Sequence, residues 1–504
     1  MFDSANFLRA LSVCLQPAQI MALLTGSILG VTMGAIPGAS ATLAIAILIP
    51  ITYWTSTEFS IISLMAAYTC GIFGGSITAI LLNIPGTPAS AATCYDGYPL
   101  AMQGKGGKAI ACAIWGSFFG GVISAFCLLF CAPLLADVAG RLGALELALV
   151  ALFGMTMVAT LSSENLAKGL LMAAIGLVIG CVGVEDQTGS VRFTFKIMHL
   201  YSGIPHTPLL IGMFAFPQVM SMCTAKDSIV HGLGKNDKIA LNRGEIKRVG
   251  KTAGISAIIG LIIGLIPAIG PETATFMAYD RAKQISKTPE KFGTGMIEGV
   301  VASETANNAV VGASLAPTFA LGIPGSGAAM MLMGGLTVHG LQPGPFLFEN
   351  SGDIMMTLFV GMFFCQMMIL ATGFPLAKFT PKLLSIPQNI LGPTILMLCM
   401  VACYVSEGDL FSILIMAIAG MISYLLLKSG FSVVPLLLGV ILGKTFESYL
   451  SRASVLASTK GGLVPYFMSR PVAWIILVVI LATLFLPKLL KQKSLAMDKK
   501  EVGE

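Results

Sequence analysis

Four interruptions by proline and glycine, each inside a strongly apolar stretch, constrain the fold of this chain more than any other feature. The run LGIPGSG, from Leu321 to Gly327, holds one proline, three glycines and one serine. Proline removes a backbone hydrogen-bond donor and glycine adopts dihedral angles that other residues avoid, so a helix that reaches this run must break. Inside a membrane, the polar backbone bared by a break is tolerated only where it is buried in protein or lines a wet cavity.

The same pattern occurs 239 positions earlier as NIPGT, from Asn83 to Thr87. Each copy follows another interruption of an apolar run. GAIPG, from Gly34 to Gly38, precedes the first copy, and GLIPAIGP, from Gly264 to Pro271, precedes the second. The sequence therefore holds two matched pairs of breaks, which predicts two repeats.

The composition indicates a polytopic membrane protein. Hydrophobic residues make up 56% of the 504 residues and charged residues only 11%, whereas soluble domains carry about 25% charge. Apolar segments long enough to span a bilayer recur between residues 17 and 487, which excludes a soluble enzyme with a single anchor. The formal charge of +6 comes from loops and tail, so it indicates topology, and no nucleic-acid partner is predicted. The 11 cysteines are scattered without metal-ligand spacing, and we expect no metal site or cofactor.

Basic residues between the apolar stretches give the orientation. Residues 226–251 hold seven lysines and arginines against three acids, and five lysines follow residue 487, so both segments are predicted to be cytoplasmic. We therefore divide the chain into a first membrane repeat (1–225), a basic cytoplasmic linker (226–251), a second membrane repeat (252–470), and a final membrane helix with a basic cytoplasmic tail (471–504). Counting spans back from the tail places 444–470 outside although it carries four basic residues, so its side stays open.

The charges of equivalent loops predict that the second repeat is inverted. Residues 54–60 hold one acid and no base, whereas 280–293 hold four basic residues. Residues 96–109 hold two lysines, whereas 340–353 hold two acids and no base. Opposite signs place equivalent loops on opposite faces, which is typical of inverted-topology repeats with a binding site between them near the midplane.

The spacing of basic residues further predicts a re-entrant hairpin. About 30 residues separate Lys251 from Arg281, two positions expected on the cytoplasmic side, whereas crossing and returning needs about 40 apolar residues. The hairpin tip would lie at Pro267–Pro271, and a mirror-image hairpin over residues 18–53 would enter from the opposite face. The predicted fold is all-α: a polytopic membrane protein with two inverted-topology repeats, each with a re-entrant hairpin and a broken helix.

Small hydroxyl and amide side chains cluster around the breaks. Neutral oxygens with unwound carbonyls suit a dehydrated sodium ion, and hydroxyls, amides and broken-helix N-termini suit a carboxylate. Any single serine or threonine could instead be an interhelical packing residue, so the prediction rests on the group. The group comprises Ser40, Thr42, Ser76, Thr78, Asn83, Thr87, Ser90, Thr273, Thr275, Ser303, Thr305, Asn307, Asn308 and Ser326.

Two acids near the breaks are further candidates. Glu304 lies in SETANNA inside an apolar segment, with Asn307 and Asn308 on its own helical face. An ionisable group in a span is costly, so Glu304 is predicted to act in coupling or substrate contact, with a buried structural anchor as the alternative. Glu272 follows the hairpin tip and could equally cap the next helix.

Five long motifs carry a family resemblance. The segments GAIPGASAT, LLNIPGTPASAATCYDGYPLAMQGKGGKA, GLIPAIGPETATFMAY, ASETANNAVVGAS and LGIPGSGAAMMLMGGLTVHGLQPGPFLF together resemble the large membrane subunit of tripartite tricarboxylate transporters, the TctA type. The resemblance covers nearly the whole chain. It implies a secondary transporter of the bacterial inner membrane that works with a small membrane subunit and a periplasmic solute-binding protein. The implied substrate is an organic carboxylate, a tricarboxylate such as citrate or a related di- or aromatic carboxylate, with sodium as the coupling ion.

The resemblance points to the same residues as the breaks do. It implies a substrate or ion site formed by Pro37, Gly38, Asn83, Pro85, Gly86, Thr87, Pro267, Glu304, Asn307, Asn308, Pro324, Gly325 and Ser326. The hydroxyl pattern adds Ser40, Thr42 and Thr273, and a sodium ion is expected near Asn83, Asn307 and Asn308.

Ion-coupled uptake by alternating access is the leading hypothesis, with a moving unit that holds the four breaks. A passive carboxylate channel is the first alternative. A membrane-embedded enzyme is the second, although the chain lacks the phosphate-binding, HExxH and GxSxG motifs that would support one.

Overall fold

A computed structural model describes residues 4–161, 165–185, 189–224, 238–267, 269–383 and 388–484. Residues 226–237 of the basic linker and the basic tail from residue 485 lie outside the described residues, as does Ala268 at the predicted hairpin tip. The cytoplasmic location of the C-terminus therefore stays a prediction.

Helices make up nearly all of the described chain. They are α1 (Ser4–Cys14), α2 (Pro17–Gly34), α3 (Ala41–Thr52), α4 (Thr57–Leu82), α5 (Ala91–Leu100), α6 (Gly106–Gly140), α7 (Ala144–Leu161), α8 (Leu166–Gly180), α9 (His206–Thr224), α10 (Arg243–Leu265), α11 (Gly270–Ile285), α12 (Ile297–Leu321), α13 (Gly327–Val338), α14 (Leu347–Asn350), α15 (Gly352–Leu383), α16 (Gln388–Glu407), α17 (Leu410–Lys428), α18 (Val434–Ser458), α19 (Leu463–Met468) and α20 (Pro471–Leu484). Short 3-10 turns lie at Pro88–Ser90, Met198–Leu200 and Pro289–Lys291, and a π-helical turn lies at Ala101–Lys105. Among the described residues, seven helices are long and apolar enough to cross a membrane, so the chain is a multi-pass membrane protein.

The predicted all-α fold class is confirmed, and the described residues add one small two-stranded sheet. β1 (Gly183–Val184) and β2 (Val191–Arg192) pair antiparallel, with Gly183 opposite Arg192. Strands of two residues are too short to show the alternation of apolar and polar residues by which a strand is recognised.

The chain forms two compact units. The first consists of Met1–Asp137 and Pro205–Tyr424 and contains all four breaks. The second consists of Val138–Ile204 and Leu425–Glu504. Within the second unit, the Arg192 guanidinium pairs with the Glu447 carboxylate, and Arg470 lies 3.7 Å from the buried Glu146 carboxylate.

All four breaks fall between helices, as the sequence predicts. The first separates α2 from α3, and the third separates α10 from α11. The second ends α4 at Leu82 and the fourth ends α12 at Leu321. α4 and α12 are buried along almost their whole length and form the centre of the first unit.

One expected loop is mostly helical. The segment 96–109 contains the end of α5, the π-helical turn and the start of α6, and Gly104 with φ 73° marks the kink between them. The two lysines that suggested a loop, Lys105 and Lys108, lie at this kink and in the first turn of α6.

Small residues bring the first helix of each half close to its central helix. A Cβ on Gly30 of α2 would lie 2.6 Å from the carbonyl oxygen of Ala67 on α4. A Cβ on Gly260 of α10 would lie 2.6 Å from the carbonyl oxygen of Ala306 on α12. Ala67 and Ala306 are 239 positions apart, the same separation as the two NIPGT-type motifs, so the same contact recurs in both halves.

α1 and the start of α2 lie beside the N-terminal end of α15. Arg9 of α1 pairs with Asp353 in the first turn of α15, with Nη1 and Oδ2 2.8 Å apart. The Cys14 thiol, just before α2, donates to the carbonyl oxygen of Thr357 at 3.6 Å.

The segment that leads into α10 lies beside the opposite end of the same helix. Lys238 and Ile239, which precede α10, line a cavity together with Phe374 and Lys378 from the last turns of α15. α15 has 32 residues and is therefore about 48 Å long at the usual helical rise. α2 and α10 thus start at opposite ends of one long helix.

Candidate functional site

The two central helices end in the same unusual backbone conformation. Asn83 follows α4 with φ 57° and ψ 27°, and Gly322 follows α12 with φ 73° and ψ 17°. Among L-residues, asparagine and aspartate are the ones that adopt this left-handed region most readily, and glycine does so without penalty. Both helices therefore stop at the same position of the repeated motif.

The first two breaks lie against each other. The Gly86 N–H donates a hydrogen bond to the carbonyl oxygen of Gly75 on α4, with N and O 3.2 Å apart. A Cβ on Gly86 would collide with the carbonyl oxygen of Gly34 and would lie 2.7 Å from Thr78 Oγ1. Glycine at position 86 therefore allows the two broken segments to pack backbone to backbone.

The first and fourth breaks also meet. Ser40 caps α3 and Ser326 caps α13, each accepting a hydrogen bond from the N–H three residues later, at 3.4 and 3.1 Å. Thr42 Oγ1 lies 3.8 Å from the position that a Cβ on Gly327 would occupy. The first turns of α3 and α13 are therefore in contact.

Two side chains that the sequence did not single out hold the capping serines. The Tyr68 hydroxyl on α4 lies 2.9 Å from Ser326 Oγ, and Ser40 Oγ donates to Gln218 Oε1 on α9 at 3.0 Å. Tyr68 stands in an apolar run where a tyrosine is an ordinary core residue. Gln218 is 178 positions from Ser40, so tertiary structure alone brings them together.

The third break has a different form. Ile266 after α10 is extended, with φ −86° and ψ 114°, as expected for a residue before proline, and Pro267 is buried. Gly270 opens α11 with φ 79°. Thr273 in the first turn of α11 is exposed, and within the described ranges its hydroxyl bonds to the carbonyl oxygen of Ile269 alone, at 3.4 Å. The structure therefore does not place Thr273 among the buried residues of the other breaks.

Glu304 lies fully buried and is bound by hydroxyls from two other helices. Thr93 on α5 donates to Glu304 Oε1 at 2.5 Å, and Ser117 on α6 donates to Glu304 Oε2 at 3.2 Å. Both donors are uncharged, and neither was among the predicted site residues.

The amides one turn further along α12 are also fully buried. Asn308 Nδ2 donates to the carbonyl oxygen of Glu304 at 3.3 Å. Within the described part of the chain, the Oδ1 atoms of Asn307 and Asn308 have no hydrogen-bond partner, whereas the Asn307 amide N–H group donates to the Glu304 carboxylate. Thr87 Oγ1 at the second break is likewise buried without a partner there. Such groups are costly unless something else binds them.

Exposure divides the predicted residues into two sets. Gly38, Asn83 and Pro85 are exposed in the chain alone, and Pro37 and Ser40 are half-buried. The buried set comprises Thr42, Gly86, Thr87, Pro267, Glu304, Asn307, Asn308, Pro324 and Gly325, with Ser326 half-buried beside it. Asn83 is thus exposed, whereas the other two amides expected near sodium are enclosed. No group of three or more histidine, cysteine or acidic side chains able to hold a metal occurs among the residues described.

Comparison with known proteins identifies one matching family and two similar bacterial proteins. The model of the family described as "Tripartite tricarboxylate transporter TctA family" matches residues 20–438, a range that includes all four breaks. An Agrobacterium vitis protein described as "Uncharacterized 52.8 kDa protein in TAR-I ttuC' 3'region" is 33% identical over 478 residues, 95% of each chain. A second protein of that organism, described as "Uncharacterized protein in TAR-II ttuC' 3'region", is 30% identical over 214 residues, 42% of this chain and 87% of that one.

No solved structure matches the chain. The family match covers most of the chain, and one relative is similar over nearly its whole length. The chain therefore belongs to the tripartite tricarboxylate transporter TctA family and is a membrane transporter subunit, not an enzyme.

Proposed function

We propose that this chain is the large transmembrane subunit of a binding-protein-dependent secondary transporter that imports an organic carboxylate together with sodium. A tricarboxylate such as citrate is the first substrate to test, because the family is named for that class, and di- and aromatic carboxylates follow. The contact of α3 with α13 at Thr42 and Gly327 carries the proposal, because it joins broken helices from the two halves of the chain.

The course of two long helices supports inverted repeats. α6 follows the second break and α15 follows the fourth. Lys108 in the first turn of α6 pairs with Glu245 in the first turn of α10 at 2.6 Å, so α6 starts beside the start of α10. α15 ends beside Lys238 and Ile239, close to the same point in the chain. Equivalent helices therefore run in opposite directions, which inverted repeats require.

The starts of the two hairpins support entry from opposite faces. α2 starts beside the first turns of α15, and α10 starts beside its last turns. If α15 spans the bilayer, the α2–α3 and α10–α11 hairpins enter from opposite sides and turn back at the breaks. A site between two such halves can open to one face at a time, which is the requirement for alternating access.

The chemistry at the contact suits a carboxylate. The positive ends of α3 and α13 meet there, and a helix N-terminus favours an anion through its free N–H groups and its dipole. The hydroxyls of Ser40, Thr42 and Ser326 add hydrogen-bond donors that need no formal positive charge. This arrangement would bind a carboxylate without burying a lysine or arginine.

The tripartite family also supplies the expected partners and location. We propose that the chain works with a small membrane subunit and a periplasmic solute-binding protein in the bacterial inner membrane, with residues 226–251 and the C-terminus in the cytoplasm. The excess of lysine and arginine in these two segments is the basis for that orientation.

Counterflow in proteoliposomes tests the transport proposal. Liposomes loaded with unlabelled carboxylate should accumulate the labelled substrate, and an inward sodium gradient should increase uptake. Ser326→Ala should lower the initial rate about tenfold or more, which corresponds to about 1.4 kcal/mol. Ser454→Ala on α18 serves as the matched control, because Ser454 is half-buried like Ser326 and, among the described residues, its hydroxyl bonds to the carbonyl oxygen of Leu450 alone. A carboxylate flux without trans-stimulation or sodium dependence would support a channel and contradict the proposal.

A further inference from the structure

The contacts at the second and fourth breaks correspond at a fixed separation. Asn83–Thr87 and residues 322–326 are 239 positions apart, and the same shift relates Gly75 to Ser314. Gly86 bonds to the carbonyl oxygen of Gly75, and a Cβ on Gly325 would lie 2.7 Å from the Cβ of Ser314. Each residue after a break therefore touches the equivalent position of the preceding central helix.

The same shift of 239 positions identifies one pair of contacts that is not conserved between the two halves. It relates Tyr68 on α4 to Asn307 on α12, and Thr87 at the second break to Ser326 at the fourth. Tyr68 and Ser326 are joined by a hydrogen bond of 2.9 Å. Their equivalents are Asn307 and Thr87, but an asparagine side chain is several ångströms shorter than a tyrosine and cannot span the same gap.

The packing of α5 on α12 independently places Asn307 near the second break. Thr93 bonds to Glu304, and Asp96 lies against Gly299, so the chain runs in opposite directions along the two helices. Continuing this antiparallel register by one turn brings the Thr87–Ser90 turn beside Asn307.

The Asn307/Thr87 pair and the equivalent Tyr68/Ser326 pair differ in whether their polar atoms have hydrogen-bond partners. Asn307 Oδ1 and Thr87 Oγ1 are buried and lack a hydrogen-bond partner among the described residues. The Tyr68–Ser326 pair in the other half satisfies itself. A buried amide oxygen and a buried hydroxyl that both lack a partner, on segments that pack side by side, point to a ligand between them.

The C-terminal ends of α4 and α12 also differ in hydrogen bonding, and the end in the first half again has fewer bonds. Beyond α12, the N–H groups of Gly322 and Ile323 donate to the carbonyl oxygens of Thr318 and Pro317, at 3.0 and 3.4 Å. After α4, the corresponding residue Asn83 forms no such capping bond within the described residues. The last carbonyl oxygens of α4 therefore remain available at the second break, and the end of a helix dipole there favours a cation.

Two unpartnered oxygen atoms thus mark the second break: the Thr87 hydroxyl and, through the packing of α5 on α12, the Asn307 amide oxygen. Hard cations prefer such neutral oxygens, and the Glu304 carboxylate lies one helical turn from Asn307. We propose that the coupling sodium binds at only one of the two equivalent breaks, the second, between Thr87 and Asn307, while the Tyr68–Ser326 bond closes the fourth. This inference rests on the proposed function and gives the ion a position and ligands.

Sodium-dependent thermal stability of the full-length chain in detergent tests the inference without transport. A ligand that binds only the folded state raises the unfolding temperature with its concentration. NaCl should therefore raise the unfolding temperature of the wild type, whereas KCl at equal ionic strength should not. Thr87→Val, which removes the hydroxyl and keeps the shape, should raise the half-saturating sodium concentration about tenfold or more.

Three further variants make the test decisive. Thr87→Ser keeps the hydroxyl and should respond to sodium as the wild type does. Tyr68→Phe removes the hydroxyl of the equivalent pair and should leave the half-saturating sodium concentration unchanged. If Thr87→Val does not accumulate, Asn307→Ala gives the second measurement and should also weaken the sodium response.

Two results would overturn the inference: no sodium-specific stabilisation of the wild type, or a shift in Tyr68→Phe as large as that in Thr87→Val. Carboxylate counterflow measured on the same preparation separates this failure from failure of the proposed function. Counterflow without a sodium shift overturns the ion site and leaves the carboxylate transporter standing. A sodium shift without counterflow of any carboxylate overturns the transporter proposal and leaves the ion site in place.

Discussion

The Thr93 hydroxyl on α5 donates a hydrogen bond to the Glu304 carboxylate on α12, with the two oxygens 2.5 Å apart. Ser117 on α6 donates to the other carboxylate oxygen at 3.2 Å, so one buried acid joins three helices. We expect Thr93→Val to destabilise the folded chain by about 1–3 kcal/mol, because a buried carboxylate oxygen loses its donor. The unfolding temperature in detergent measures this effect.

A matched control is available on α16. The exposed Thr394 bonds only to the carbonyl oxygen of Ile390, so Thr394→Val should change the unfolding temperature little. Equal effects of Thr93→Val and Thr394→Val would show that the bond to Glu304 contributes nothing to stability.

Close packing of α10 on α12 gives a second prediction. Gly260→Ala would place a Cβ 2.6 Å from both the carbonyl oxygen and the Cβ of neighbouring alanines on α12, and such overpacking costs about 1–3 kcal/mol. A Cβ on Gly254 of the same helix would meet no neighbouring atom of the described chain within 4 Å, so Gly254→Ala should be neutral or gain up to about 1 kcal/mol from helix propensity. Comparing the yields of folded protein and the unfolding temperatures checks this order, and the reverse order would exclude the observed packing.

The left-handed residues after α4 and α12 give a third prediction. Since asparagine occupies this conformation at position 83, Gly322→Asn should fold and retain transport, whereas Gly322→Val should lose folded protein. The left-handed conformation costs a β-branched residue more than the roughly 1–2 kcal/mol typical of other side chains. At the other break, Asn83→Gly should fold normally and Asn83→Ala should lower uptake more than expression. Equal stability of Gly322→Asn and Gly322→Val would contradict the helix ends described above.

Asp96 on α5 gives a fourth prediction. Its buried carboxylate accepts bonds from the N–H groups of Gly293, Gly295 and Met296, at 2.7 to 2.9 Å, and from the Tyr279 hydroxyl at 2.9 Å. Asp96→Ala should strongly reduce folded protein, because three backbone donors before α12 lose their acceptor. Tyr279→Phe should cost only about 1–2 kcal/mol, since the three backbone bonds remain. Size-exclusion chromatography of the detergent-solubilised variants separates the two, and a Tyr279→Phe defect as severe as that of Asp96→Ala would contradict this account.

The positions of the helix breaks could be predicted from the sequence because proline and glycine act locally. Pro85 and Pro324 limit helix formation wherever the chain takes them, so the ends of α4 and α12 follow from the nearby residues. The polar partners of the site could not be predicted in this way. Tyr68 and Ser326 are 258 positions apart, and Thr93 and Glu304 are 211 apart, so these bonds depend on how whole helices pack.

The solvent exposure of individual polar residues could not be predicted from the sequence either. Thr273 and Thr275 lie two residues apart on α11, yet Thr273 is exposed whereas Thr275 is fully buried and donates to the carbonyl oxygen of Glu272 at 2.7 Å. The apolar surround of both residues gives no indication of which side of α11 packs on α12. The helices within residues 96–109 were not predicted, because Lys105 and Lys108 suggested a charged loop.

Cysteine accessibility tests the central claim, that the two hairpins enter the membrane from opposite faces. Gln16 lies directly before α2 and Lys247 lies in the second turn of α10, and both are exposed. In a background without the 11 native cysteines, Gln16→Cys should react with a membrane-impermeant maleimide in right-side-out vesicles, and Lys247→Cys should react only in inside-out vesicles. Labelling of both positions in the same vesicle orientation would contradict the inverted arrangement.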